Sequence, residues 1–250
     1  EQDQILERVQ GMDVVVTKEM PVDGDTIARF PDSVQLICEA GTGYNNIDIE
    51  AARARGITVC NIPAYSTERV AHTAIMMILN LSSSMQIQQA MLARGDRSNF
   101  TKCMQVSHVE VNGKVLGVVG AGTIGREVIK VAQALGMKVL AYTRTPRADE
   151  DNLKYVSLEE LLKQSDYISL HCPLTPQTRH MINKETIAMM KPTAYIINTG
   201  RGALIDEPAL IEALKEGRIA GAGLDVQETE PPVQDNPLYD MPNVILTPHM

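Results

Sequence analysis

An α/β fold built around a doubly wound parallel sheet is what this sequence predicts, on three observations. Short apolar runs alternate with helical patterns along nearly all of its 250 residues. The strand-like runs are almost continuously apolar, the pattern of a sheet covered by helices on both faces. At one junction a strand runs through Gly120-Ala121-Gly122-Thr123-Ile124-Gly125 into a helix, a turn that suits such sheets.

In chain order, strands are expected at 13–17, 34–39, 57–60, 115–119, 138–142, 167–171, 194–198, 220–226 and 244–247. Most are apolar runs bounded by turn-forming residues. Helical spacing covers 25–30, 48–55, 68–81, 122–135, 158–164, 184–190 and 207–216, and a further helix opens the chain around Ile5. Asp48 and Ser157 are placed as N-caps, the latter with Glu160 three residues on as a capping box. Gly56 and Gly217 suit helix ends. The pairs Met76-Met77 and Met189-Met190 read as core packing.

The alternation breaks once. A polar stretch, 86–112, has weak periodicity and ends in the turn Asn112-Gly113. Two α/β units joined near 64–70 are therefore expected: one at 1–66, and a larger one at 67–250 with 86–112 as a surface arm. The first unit is short for an independent core and reads as an incomplete α/β domain.

Charge and composition exclude several functions. Lys and Arg number 23 against 31 Asp and Glu, a net charge of −8. Such a chain repels nucleic acid and anionic membranes at long range, so neither is expected as a partner. No run approaches the roughly 18 apolar residues of a spanning helix, and no leader pattern is present. Cys38, Cys60, Cys103 and Cys172 show neither CxxC nor metal-ligand spacing. Reduced thiols, no metal and a cytoplasmic location are the expectation.

The glycine turn points to a dinucleotide. Gly120 permits the tight turn, Gly122 lets the backbone approach a pyrophosphate, and Gly125 allows close helix–strand packing. The anion would then sit on the N–H groups of Thr123, Ile124 and Gly125 at the helix N-terminus. This is the Rossmann arrangement, and the cofactor is NAD or NADP. An acidic residue is expected about 20 positions on, to bind the ribose hydroxyls. The second strand instead ends in Thr143-Arg144, with Arg147 beyond. A hydroxyl and guanidinium suit a 2′-phosphate, which favours NADP over an NAD site that tolerates threonine.

Polar residues cluster after the later strands, at the edge where open α/β sheets bind ligands. They are Asn198-Thr199-Gly200-Arg201-Gly202, then Asp225 with Glu230, then His249. Taken with Gly41-Thr42-Gly43-Tyr44-Asn45-Asn46-Ile47-Asp48, Asn61-Ile62-Pro63, the glycine turn and His171-Cys172-Pro173-Leu174-Thr175 with Thr178, they resemble the D-isomer-specific 2-hydroxyacid dehydrogenases. The likeness covers essentially the whole chain, and looks most like the glycerate dehydrogenase branch.

The resemblance implies roles. His249 would be general acid toward a keto oxygen and Glu230 its partner; Arg201 would bind the substrate carboxylate, and the N–H groups of Thr42 and Gly43 its other end. Cys172, Pro173, Thr178, Thr199 and Asp225 would lie at the cofactor. A short 2-oxo acid, such as hydroxypyruvate or glyoxylate, would be the substrate, and a homodimer the assembly. The first unit would be a flavodoxin-like substrate domain. Family members usually carry a strand and helix before Glu1 and a helix after the histidine, so the chain is expected to be a fragment. The same scaffold carries the corepressors called C-terminal binding proteins, so a non-enzymatic dinucleotide sensor is the alternative. His72 is given no role, and His171 is read as structural or cofactor-adjacent.

Overall fold

The computed structural model describes residues 2–250. Glu1, at the start of the expected first helix, lies outside the described residues. The chain divides into two compact units, Glu1–Ser66 and Thr67–Met250.

The first unit is built from α1 (Gln2–Arg8), β1 (Val14–Thr17), α2 (Gly24–Ala28), β2 (Leu36–Glu39), α3 (Ile49–Ala54) and β3 (Thr58–Cys60). Its three strands pair in parallel in the order β1-β2-β3. Asp48 caps α3 by accepting from the Ala51 N–H at 2.9 Å. Gly56, at φ +69°, ends it in the left-handed conformation that glycine adopts without steric cost. Ile27, Phe30, Val34, Ile37 and Ile57 form part of the unit's own core.

The second unit runs α4 (Thr67–Ser82), α5 (Met85–Ala93), α6 (Ser98–Thr101), β4 (Val115–Val119), α7 (Thr123–Ala134), β5 (Lys138–Tyr142), β6 (Leu153–Tyr155), α8 (Leu158–Gln164), β7 (Tyr167–Leu170), α9 (Lys184–Ile187), β8 (Tyr195–Asn198), α10 (Glu207–Lys215), β9 (Gly221–Leu224) and β10 (Val244–Leu246). Seven strands form one parallel sheet in the order β10-β9-β8-β7-β4-β5-β6. The order reverses between β4 and β7, which opens a crevice at their C-terminal ends. The continuous apolar strands now have their reason: Leu116 and Val118 pack in a core with α4 and α7. Val119, Ile168 and Leu170 belong to another core, with α8 and α10. Alternate residues of one strand point to opposite faces, so both must be apolar.

Several expectations change. Strand β6 went unread because its three residues sit at the sheet edge, where length and composition give little signal. The arm contains α5 and α6, neither of which buries a residue; a helix without an apolar face leaves no periodicity to read. Ser157 does cap α8 through the Glu160 N–H at 3.1 Å, but the Glu160 carboxylate accepts from Gln164 at 2.8 Å rather than closing a box. Of each methionine pair one member is core, Met77 and Met190, while Met76 and Met189 are exposed. Met76 and Met77 are adjacent on α4 and cannot share a face. Among the described residues, no helix is long and apolar enough to cross a membrane.

Candidate active site

The turn after β4 is set by contact distances that only glycine meets. Gly120 has φ +100°, and a Cβ there would lie 2.6 Å from the backbone nitrogen of Cys172, which follows β7. The turn is thus pressed onto the neighbouring strand end at the point where the sheet order reverses. A Cβ on Gly125 would lie 2.0 Å from the Gly120 carbonyl oxygen, so α7 starts directly against the turn. At Gly122 a Cβ would meet nothing within 4 Å. Gly122 is also the N-cap of α7 and supplies no capping side chain. Among the described residues, the first-turn N–H groups of Thr123, Ile124 and Gly125 have no side-chain acceptor, as an anion site requires.

The surrounding candidates differ in what they have available. The Thr199 hydroxyl is buried without a hydrogen-bond partner among the described residues, a costly state that a bound polar group would relieve. Burial pushes the Cys172 thiol up to about 11, and its sulfur contacts that of Met181 at 3.6 Å. The Thr178 hydroxyl donates to the Pro173 carbonyl at 2.8 Å and accepts from the Thr175 N–H at 2.8 Å, so its visible work is shaping the loop 173–178. Thr143 donates to the Thr145 carbonyl at 2.7 Å, which turns its proton into the loop and leaves Arg144 exposed beside it. A nicotinamide dinucleotide fits this cradle.

The next strand ends carry the charged groups. Buried Asn198 holds the turn after β8: its side-chain amide donates to the Arg201 carbonyl at 2.9 Å and its oxygen accepts from the Gly200 N–H at 3.0 Å. Arg201 donates to the Gly200 carbonyl at 2.9 Å. A Cβ on Gly202 would lie 1.9 Å from the Gln227 carbonyl oxygen. That contact joins the loop bearing Arg201 to the loop bearing Glu230.

Glu230 accepts from the Gln227 N–H at 3.1 Å and from Nδ1 of His249 at 2.9 Å. Partial burial would raise its carboxyl. Those two hydrogen bonds and the Arg201 and His249 charges outweigh burial and hold it below the usual carboxylate range.

His249 is held by its backbone. Its N–H donates to the Asp225 carbonyl at 2.9 Å. The Asp225 carboxylate, buried, accepts from the Thr247 hydroxyl at 2.5 Å and the Met250 N–H at 3.0 Å. The Asp225 carboxylate thus fixes the segment that carries His249.

Residues 75–250 match the family model described as D-isomer specific 2-hydroxyacid dehydrogenase, NAD binding domain. A hydroxypyruvate reductase of Blautia hydrogenotrophica is 41% identical over 99% of this chain and 78% of its own length. The chain belongs to the D-isomer-specific 2-hydroxyacid dehydrogenases. Among solved structures, a glyoxylate reductase from Paecilomyes thermophila aligns at a TM-score of 0.89 with 36% identity, over 99% of this chain and 78% of that one. An NADPH-dependent glyoxylate/hydroxypyruvate reductase of Sinorhizobium meliloti, in complex with NADP and malonate, aligns at 0.89 with 31% identity, over 100% and 77%.

In the first unit, the loop bearing Thr42 and Gly43 is tied to the segment after β3. Thr42 donates its hydroxyl to the Ile62 carbonyl at 3.1 Å, Asn61 donates to the Thr42 carbonyl at 2.7 Å, and the Ile62 N–H donates to Gly41 at 3.0 Å. In the second, sequence reasoning gave no role to Asn198, Gly202 or Gln227, which hold the charged loops together. Asn198 and Gly202 lie inside a motif that was read only for Arg201 and Thr199. Gln227 carries no signal, since its contribution is a backbone position.

Proposed function

We propose that this chain reduces short 2-oxo acids, hydroxypyruvate or glyoxylate, to the corresponding D-2-hydroxy acids, with NADPH preferred. The observation that supports it is the meeting of Arg201, Glu230 and His249 on adjacent strand ends. When bound, the nicotinamide supplies the hydride.

Every other requirement falls to groups of this chain. Arg201 offers a planar fork of donors that a 2-oxo acid carboxylate accepts in pairs. His249 delivers the Nε2 proton to the keto oxygen as negative charge develops there, and takes it back in the oxidative direction. Glu230 keeps the ring oriented through its hydrogen bond with Nδ1. The N–H groups of Thr42 and Gly43 are proposed to bind substrate.

Arg144 is the donor assigned to a 2′-phosphate, in keeping with the Sinorhizobium relative's NADPH dependence. We assign the arm to a homodimer contact, because Phe100 and Met104 stand exposed on it at 73% and 53%. Steady-state oxidation of NADPH and NADH with hydroxypyruvate and glyoxylate tests the reading. Turnover with at least one pair is expected. Tight dinucleotide binding with no turnover on any short 2-oxo acid would overturn it in favour of a sensor.

A further inference from the structure

Two cysteines far apart in sequence are neighbours in the first unit. Cys38 on β2 and Cys60 on β3 are register partners in the parallel ladder, and their sulfurs lie 3.3 Å apart. Neighbouring strands are spaced about 4.8 Å apart, inside the Cα window of roughly 4.4–6.8 Å that a disulfide accepts. Cys60 is exposed and Cys38 half-buried, so an oxidant in solution reaches the pair. Cys103 lies on the exposed arm, and Cys172 packs on Met181.

We propose that Cys38 and Cys60 form a reversible disulfide that reports oxidant to the loop bearing Thr42 and Gly43. The Cys60 thiol donates its hydrogen bond to the Cys38 sulfur, which retains the proton on Cys60 and makes Cys38 the attacking sulfur. Hydrogen peroxide is the oxidant. The Cys38 thiolate attacks one peroxide oxygen, the O–O bond breaks, and protonation of the leaving hydroxide gives water and a sulfenic acid at Cys38. The Cys60 sulfur then displaces the sulfenic hydroxyl as a second water while its own proton is released. Two thiols and one peroxide thus give one disulfide and two waters. A thiol reductant reverses it.

The consequence follows from the chain path. Cys38 is three residues before Gly41, and Cys60 is followed directly by Asn61, whose side chain holds the Thr42 carbonyl. Drawing the two strand ends together by about 1.2 Å of sulfur separation displaces both ends of that hydrogen-bonded loop. This step rests on the substrate role proposed for Thr42 and Gly43.

The test treats the full chain with hydrogen peroxide. The loss of two hydrogen masses, a peptide joining Cys38 to Cys60, and recovery on reduction are expected. KM for the 2-oxo acid rises several-fold in the oxidised form, while cofactor Kd stays put. In Cys60→Ser, dimedone traps a sulfenic acid at Cys38, and activity without oxidant is unchanged. Over-oxidation of a single cysteine with no cross-linked peptide overturns the disulfide. A cross-link that leaves KM unchanged overturns the coupling. Absence of turnover in the reduced protein instead marks failure of the functional reading, and the mass measurement still decides the bridge.

Discussion

Two glycine turns on the same sheet edge do opposite things with close contact. After β4, Gly120 and Gly125 press the backbone together so that the space at Gly122 stays open. After β8, Gly202 leaves no space at all, because a Cβ there would sit almost on the Gln227 carbonyl. The first turn makes room for a ligand, and the second brings two charged loops to one place. A glycine pattern in a sequence announces a tight backbone without saying which of these ends it serves.

The sharpest way to separate the two turns is to remove the charge that the second one positions. Arg201→Ala should lower kcat/KM for a 2-oxo acid on the order of 10²–10³-fold, since an anion loses its paired cation in a partly dry site. Dinucleotide Kd should hardly move, because the first turn is untouched. Steady-state kinetics beside a fluorescence titration of the cofactor reads both quantities. A parallel loss of cofactor affinity would show that the turns are not separable.

Next comes an alanine placed in each turn. Gly202→Ala forces the 227–230 loop away from Arg201, and a displacement of about 1 Å costs on the order of 10² in rate. Cofactor affinity should survive. Gly125→Ala should reverse the pattern: the added methyl separates α7 from the Gly120 carbonyl, so dinucleotide affinity falls first and stability drops by about 1–3 kcal/mol. If both variants show the same profile, the two turns share one function.

That contrast also explains what could be read from the sequence alone. The glycine turn was legible because its residues act on one another over six consecutive positions. Arg201, Glu230 and His249 were found as types at strand ends, and through likeness to a family. Their joining by Gly202 was not legible, since it depends on a backbone atom of Gln227 twenty-five positions away. The sheet itself was plain in strands with two buried faces, such as β4. It failed at β6, where three edge residues carry no pattern, and in the arm, where α5 and α6 bury nothing. The Asp225 carboxylate was placed only through likeness to the family; its hydrogen bonds with the Thr247 hydroxyl and the Met250 N–H could not be read from spacing.

A smaller effect probes the far end of the first turn's ligand. Thr143→Asp sets a carboxylate beside Arg144, where a 2′-phosphate would repel it and free ribose hydroxyls would donate hydrogen bonds to it. The ratio of kcat/KM for NADPH over NADH should fall about tenfold, consistent with one like-charge contact near a protein surface. An unchanged ratio would remove Arg144 and Thr143 from cofactor choice.

The smallest effect lies beneath the glycine turn. His171 follows β7, with its ring on the Ser169 hydroxyl at 2.8 Å and its N–H on the Val119 carbonyl. Burial holds its imidazole down at about 4, against an ordinary 6.5. The folded state therefore keeps the ring neutral where the unfolded chain would take up a proton. The stability this contributes is complete above pH 6.5 and is lost progressively as pH falls toward 4. His171→Gln keeps a hydrogen-bonding group for Ser169 but has nothing to titrate. Between pH 7.5 and 5.0 its Tm should fall about 4–8 °C less than that of the parent chain, measured by thermal denaturation at matched ionic strength. Parallel curves would mean that His171 takes a proton as readily folded as unfolded, and that water reaches the floor of the turn.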